Sequence, residues 1–214
     1  MTWPATARYG LEAAPGGLGL VQDLLNTAAV EAPGSVDLLA APDDARAWAD
    51  AATARWTAVT GQPVPPVRLD AEEADKLRAF RDDLRRLITE GAGGEPGAAL
   101  RAAVPHRGSA ALRLGEDGVV RLEPCGSGRR LLAALVLVAV FEAQRDGTWC
   151  RLKTCRAPRC HIAFYDRSRN NSGVWHEVKS CGNAANLRAC RARRRAREAG
   201  PGTEEAPGGH HPHR

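Results

Sequence analysis

The chain is 214 residues long, 43% hydrophobic and 26% charged, with 5% aromatic residues and a formal net charge of +5. That length allows one core-bearing domain plus a small appended module, with a core resting mainly on Leu, Val and Ala. The longest uncharged apolar run, Leu131 to Phe141, falls well short of the roughly 20 residues a membrane span needs. The start, Met1 to Arg8, has no basic segment and apolar run of a secretory signal, so the expected location is the cytoplasm.

Residues 1–16 read as irregular. Leu18, Val21, Leu24 and Leu25 fall at helical spacing and predict a helix to about Ala29. Another begins at Pro42-Asp43-Asp44, with either Asp43 as its cap or Pro42 in its first turn, and runs to Thr60. Gly61 to Pro66 is a stiff connector. Asp70 followed by Glu73 predicts a capped helix to about Thr89, with Ala74, Leu77, Phe80, Leu84 and Leu87 on its apolar face. Gly91 to Gly97 reads as a loop.

Ala110–Leu114 and Val119–Leu122 flank Gly115-Glu-Asp-Gly118 and predict a hairpin. A helix is expected from about Arg130 to Gln144, ending at Asp146-Gly147. Trp149–Lys153 and Ile162–Asp166 are short strand candidates. Gly182-Asn183 offers a turn and an N-cap for a last helix, Ala184 to Glu198, built from strong helix formers. The Gly-, Pro- and Glu-rich tail, 200–214, has a composition that predicts disorder. The fold class expected is α+β, a mainly helical N-terminal domain with a small hairpin and a small C-terminal metal module ending in a basic helix. The expected division is 1–148, 149–199 and the tail 200–214.

Charge divides the chain unevenly. Residues 1–150 carry 16 basic and 20 acidic residues, whereas 151–197 carry 13 basic and only 2 acidic ones. Arginines outnumber lysines 27 to 3, as a GC-rich coding sequence produces, so their placement says more than their number. A basic end on a slightly acidic body implies a polyanionic partner, nucleic acid first. Arg188, Arg191 and Arg195 form an i, i+3, i+7 stripe, which Arg193, Arg194 and Arg197 widen. Arg167 and Arg169 could extend the same surface. Phosphates would relieve the mutual repulsion of such a helix, and arginine can also read guanine edges.

Five of the six cysteines lie between Cys150 and Cys190. In a cytoplasmic protein metal binding explains them better than disulfides. Cys155 and Cys160 are four residues apart, and His176 and Cys181 repeat that separation. Cys₃His is a standard structural set for tetrahedral Zn²⁺. Cys190, Cys150 and His161 remain alternatives to His176 as the fourth ligand. Trp175 and Phe164 are the natural mini-core over the metal.

The order Cys155-x₄-Cys160, Phe164-Tyr-Asp166-x-Ser168-Arg169-Asn170, Trp175-His176, Cys181-Gly182-Asn183 and an Arg-rich helix resembles the CGNR zinc finger. In that family a cysteine usually follows the tryptophan, where this chain has His176, and the signature's final arginine is Ala184 here. Leu18-Gly-Leu-Val-Gln-Asp-Leu-Leu-Asn26-Thr27, Asp37-Leu-Leu, Pro42 and Trp48 are similar to the ABATE domain that precedes this finger in stress-induced transcription regulators. The resemblance implies a nucleoid-associated, zinc-containing DNA-binding regulator whose first domain forms a homodimer or senses a small-molecule effector. The alternative is a zinc-stabilised module that docks RNA or an acidic protein. There is no His-Glu-x-x-His, Gly-rich phosphate loop or nucleophile elbow, and four protein ligands leave zinc no open position, so no enzyme is expected.

Overall fold

A computed structural model of the chain describes residues 2–91 and 106–198; the loop expected at Gly91 to Gly97, beyond Gly91 itself, and the tail expected at 200–214 lie outside them. The fold is α+β. It comprises α1 (Pro4–Ala7), α2 (Leu18–Asn26), α3 (Pro42–Thr60), α4 (Ala71–Gly91), β1 (Ser109–Leu114), β2 (Val120–Cys125), α5 (Gly128–Arg145), β3 (Leu152–Thr154), β4 (Ala163–Tyr165) and α6 (Asn183–Glu198). Two compact units divide it, one spanning 1–176 and the other 177–214.

In the first unit α2 is the central element, and every one of its residues is buried. The apolar residues that marked it as a helix cover only part of its surface; Gln22, Asp23 and Asn26 are enclosed too. Burial of polar groups is tolerable only when each finds a partner, and each does. Asp23 accepts from the Thr6 backbone N–H at 2.7 Å and from Trp48 Nε1 at 2.8 Å, tying α1 and α3 to α2. Burial pushes the Asp23 carboxyl up from its ordinary range despite these donors. Gln22 accepts from the Ala14 N–H at 2.6 Å.

Residues 1–16, expected to be irregular, contain the short helix α1. Periodicity could not reveal a single turn, which exists because Trp3 is buried and Asp23 satisfies an N–H of its first turn. Trp3 lies against Gly19, where an added Cβ would stand 2.4 Å from the indole Nε1, so only glycine fits at this point of α2.

Helix α3 begins as the sequence suggested, with extended Ala41 before it, Pro42 in the first turn and Asp43 and Asp44 near the positive end of its dipole. Its small residues Ala45, Ala49 and Ala52 let Trp48 and Trp56 sink into the core. Asp70 Oδ1 caps α4 by accepting the Glu73 N–H at 2.8 Å. The face of α4 also buries Arg81, which pairs with Asp37 at 2.8 Å and donates to Thr27 Oγ1 at 3.1 Å. Arg85 donates to the Leu25 carbonyl near the C-terminus of α2, the end that favours a cation.

Strands β1 and β2 form the predicted hairpin, antiparallel from Ser109↔Cys125 to Leu114↔Val120. It packs beside α5, whose apolar run is buried from Leu131 to Val140 apart from half-buried Leu137, with Phe141 exposed. The chain leaves α5 through Gly147, in the left-handed region at φ 67°. It then makes a 3₁₀ turn at Trp149–Arg151, so the strand expected from Trp149 starts only at Leu152. Turning off the helix end consumes those three residues. Strands β3 and β4 pair antiparallel and lie against α4 and α2 respectively. Among the described residues no helix is long and apolar enough to cross a membrane.

Candidate metal centre and basic helix

Cys155 follows β3 directly and prolongs its ladder by donating its N–H to the Ile162 carbonyl at 2.9 Å. The chain must therefore reverse within the Cys155–Cys160 span. Cys160 N–H bonds back to the Ala157 carbonyl at 3.0 Å, and His161 takes a left-handed φ of 55° to re-enter β4. One of the two non-glycine left-handed residues among those described lies at this reversal, the other being Asn171 at φ 50°. Arg156 N–H reaches the Val174 carbonyl at 3.1 Å, which brings the segment ending at His176 alongside. His176 Nδ1 lies 3.2 Å from Cys160 Sγ.

One ligand atom from each of Cys155, Cys160, His176 and Cys181 lies within 4.8 Å of the others. A tetrahedron with metal–sulfur distances of about 2.3 Å has edges of about 3.7 Å, so three sulfurs and an imidazole nitrogen at this spacing suit a metal ion. Cys155 and Cys160 are buried, and His176 and Cys181 half-buried. The hydrogen bond from Cys160, and a second from His176, hold the Cys155 thiol down to about 3 against burial, which would raise it. A site that already favours thiolate is one a metal can enter without a large cost of deprotonation.

The three alternatives to His176 lie outside this cluster. His161 and Cys190 are exposed, and Cys150, expected half-buried in a strand, is exposed in the 3₁₀ turn with its thiol 3.5 Å from the Gly147 carbonyl. Cys125, exposed at the end of β2, lies 3.3 Å from the Glu123 carbonyl. Phe164 is buried and Trp175 half-buried.

A second network holds the loop from 166 to 173. Asp166 is buried, pairs with Lys153 at 2.7 Å, and accepts from the N–H groups of Ser168 at 2.9 Å and Gly173 at 2.7 Å. Burial alone would raise its pKa, but Lys153 and these donors hold it well below the usual carboxylate range. Lys153 also donates to the Asn171 and Gly173 carbonyls, at 2.6 and 3.1 Å.

Of the two arginines of this loop read as nucleic-acid contacts, Arg169 is exposed. Arg167 donates to the Ala13 carbonyl at 2.7 Å, pairs with Glu12 at 2.8 Å and stacks over Tyr165.

Asn26, which the sequence marks only as part of the Leu18–Thr27 motif, joins α2 to β4. Its amide accepts the Ala163 N–H at 2.8 Å and donates to the Ala163 carbonyl at 3.0 Å, while Gln22 donates to that same carbonyl at 3.3 Å. One buried amide thus clamps β4, three residues before the loop opens at Asp166 and only three after Cys160. Thr27 does close the helix, donating to the Leu24 carbonyl at 2.7 Å.

In the second unit the helical path starts earlier than expected. A π turn at Val178–Gly182 carries Cys181 and runs straight into α6. Asn183 therefore has helical dihedrals, φ −63° and ψ −40°, and is no N-cap; the extended residue before the path is Glu177. The π turn satisfies its first donors with backbone acceptors, the Cys181 and Gly182 N–H groups both reaching the Glu177 carbonyl at 3.1 and 3.3 Å. Arg188, Arg191, Arg193, Arg194 and Arg195 are all exposed along α6; the side chain of Arg197 lies outside the described residues. Ala184 is exposed in the first turn.

The Cys₃His cluster suits a metal ion and gives the C-terminal region of this α+β protein the donor set of a metal finger. Residues 151–194 match the family model of the CGNR zinc finger, and residues 18–147 match the ABATE family, described as "Putative stress-induced transcription regulator". The chain belongs to this family. No curated protein matches it.

Proposed function

We propose that the chain is a zinc-containing, DNA-binding transcription regulator in which Cys155, Cys160, His176 and Cys181 hold Zn²⁺ and α6 contacts the duplex. One observation carries this reading. Cys181 and the exposed arginines of α6 share one uninterrupted helical path from Val178 to Glu198, with seven basic residues against one acidic residue. Zn²⁺ held by three thiolates and an imidazole supplies a fixed crosslink with no open coordination position. The chain's own residues do the rest: Arg188, Arg191, Arg193, Arg194, Arg195 and Arg197 neutralise backbone phosphates, with Arg167 and Arg169 as further contacts. For Arg167, binding a phosphate means exchanging its pair with Glu12.

The functional division is 1–148 for sensing or dimerisation and 149–199 for DNA. Exposed apolar side chains on the hairpin and α5, among them Leu112, Leu114 and Phe141, support a homodimer, which light scattering of the full chain reads directly. The cytoplasm, on the nucleoid, is the location this role requires.

Fluorescence anisotropy on duplex DNA at two salt concentrations, with zinc present, tests the central claim. The logarithm of affinity falls with the logarithm of salt by about 0.9 per neutralised phosphate, and Arg191→Ala with Arg195→Ala shallows that slope by about 2. No binding at low salt overturns the reading. Capture of a partner that survives nuclease treatment, without DNA binding, favours the docking of an acidic protein instead.

A further inference from the structure

A cavity of about 300 Å³ lies in the first unit between α3, the connector 62–65, the hairpin and α5. Its walls are apolar, formed by Pro63, Val64, Pro65, Pro124, Leu131 and Leu135. Two polar atoms interrupt them. Trp56, 1% exposed, has a buried indole Nε1–H with no hydrogen-bond partner among the described residues, and the buried Gln62 Oε1 has none among them either. Both side chains line the cavity.

The orientations follow from neighbouring contacts. The benzenoid edge of Trp56 packs at Gly17, where an added Cβ would stand 2.8 Å from Cζ3 and 3.0 Å from Cη2, so the pyrrole ring lies at the opposite end of the indole. Gln62 Nε2 donates to the Leu122 carbonyl at 3.2 Å, which fixes the amide and leaves its carbonyl oxygen as the group without a partner. At the cavity's edge Arg113 and Glu123 pair with each other at 2.9 Å and present no net charge. A buried donor and a buried acceptor left unmade are costly, and each is an interaction held ready for a ligand.

We propose that this cavity binds a small uncharged ring compound carrying a hydroxyl or primary amide, a group that accepts from Trp56 Nε1–H and donates to Gln62 Oε1. The volume stands at the lower end of the roughly 300–1,000 Å³ of ligand pockets, which suits a one- or two-ring molecule and excludes a nucleotide or peptide. The proposal deepens the sensing role given to residues 1–148 and rests on it for its biological sense, while binding itself is read without DNA.

The probes are 2-naphthol and 2-methylnaphthalene, which differ by a hydroxyl for a methyl, titrated into the full zinc-loaded chain. The readout is the indole N–H resonance of Trp56, assigned by its loss in Trp56→Phe. The expected result is a saturable shift with 2-naphthol at an affinity at least tenfold above that of 2-methylnaphthalene. Gln62→Leu, shown to be folded by an unchanged circular dichroism spectrum, reduces the preference to under threefold. No saturable shift, equal affinity for the two probes, or an undiminished preference in Gln62→Leu overturns the site. Saturable binding with DNA affinity unchanged keeps the site and removes the sensing role.

Discussion

The Nδ1 of His176 lies 3.2 Å from Cys160 Sγ. If it is a ligand, His176→Ala and Cys181→Ser lose the bound zinc measured by atomic emission, while His176→Cys retains one ion per chain. Retention of full metal by the first two variants overturns the ligand set. Asn26 acts by a different means. Removing its amide in Asn26→Ala leaves the Ala163 N–H without its partner in a dry core, a loss of about 2–3 kcal/mol. For a chain of this size that lowers the thermal midpoint by roughly 5–10 °C, read by calorimetry. The four clustered residues were legible in the sequence because their types and spacings are chemically unusual. Asn26 was legible only as a polar residue at a helix end, because its partner lies 137 residues away.

At the level of elements, the loop from 166 to 173 owes its shape to one carboxylate. The folded pKa of Asp166 is depressed, so its stabilisation is complete above the unfolded value of about 3.9 and disappears as pH falls through the lower folded value. Lys153→Met removes the strongest charge partner of a buried carboxylate and costs about 3 kcal/mol above pH 5. Denaturant titrations across pH check this: the gap between native and variant narrows below about pH 4 and closes only as pH falls through the depressed folded value, and a gap independent of pH contradicts the assignment. The long helices and the hairpin were legible because each carries its own period, cap or turn residues. The start of α6 was not, since a π turn has no sequence period of its own, and the Cys-Gly-Asn run that suggested a cap is the very stretch where the wide turn passes into the helix.

For the whole molecule, the consequence lies in how β3 and β4 rest on α2 and α4. Leu152 and Ala163 belong to the same core as Leu20, Leu77 and Trp56. A fragment ending at residue 148 therefore uncovers part of that core and strips the buried amides of Gln22 and Asn26 of their partner. Its stability falls by at least about 3 kcal/mol relative to the full chain, as measured by urea unfolding. An equally stable fragment contradicts this packing. From the sequence came the α+β class, the longer helices with the Asp70 cap, the basic charge concentrated at the end of the chain, and the spacing of Cys155, Cys160, His176 and Cys181, because all of these are written in periods, residue types and local separations. Packing alone assigned Asp23, Asn26 and Arg81 their buried partners, made a helix of Pro4–Ala7, and left Trp56 and Gln62 facing a cavity, because each depends on which distant groups meet once water is excluded.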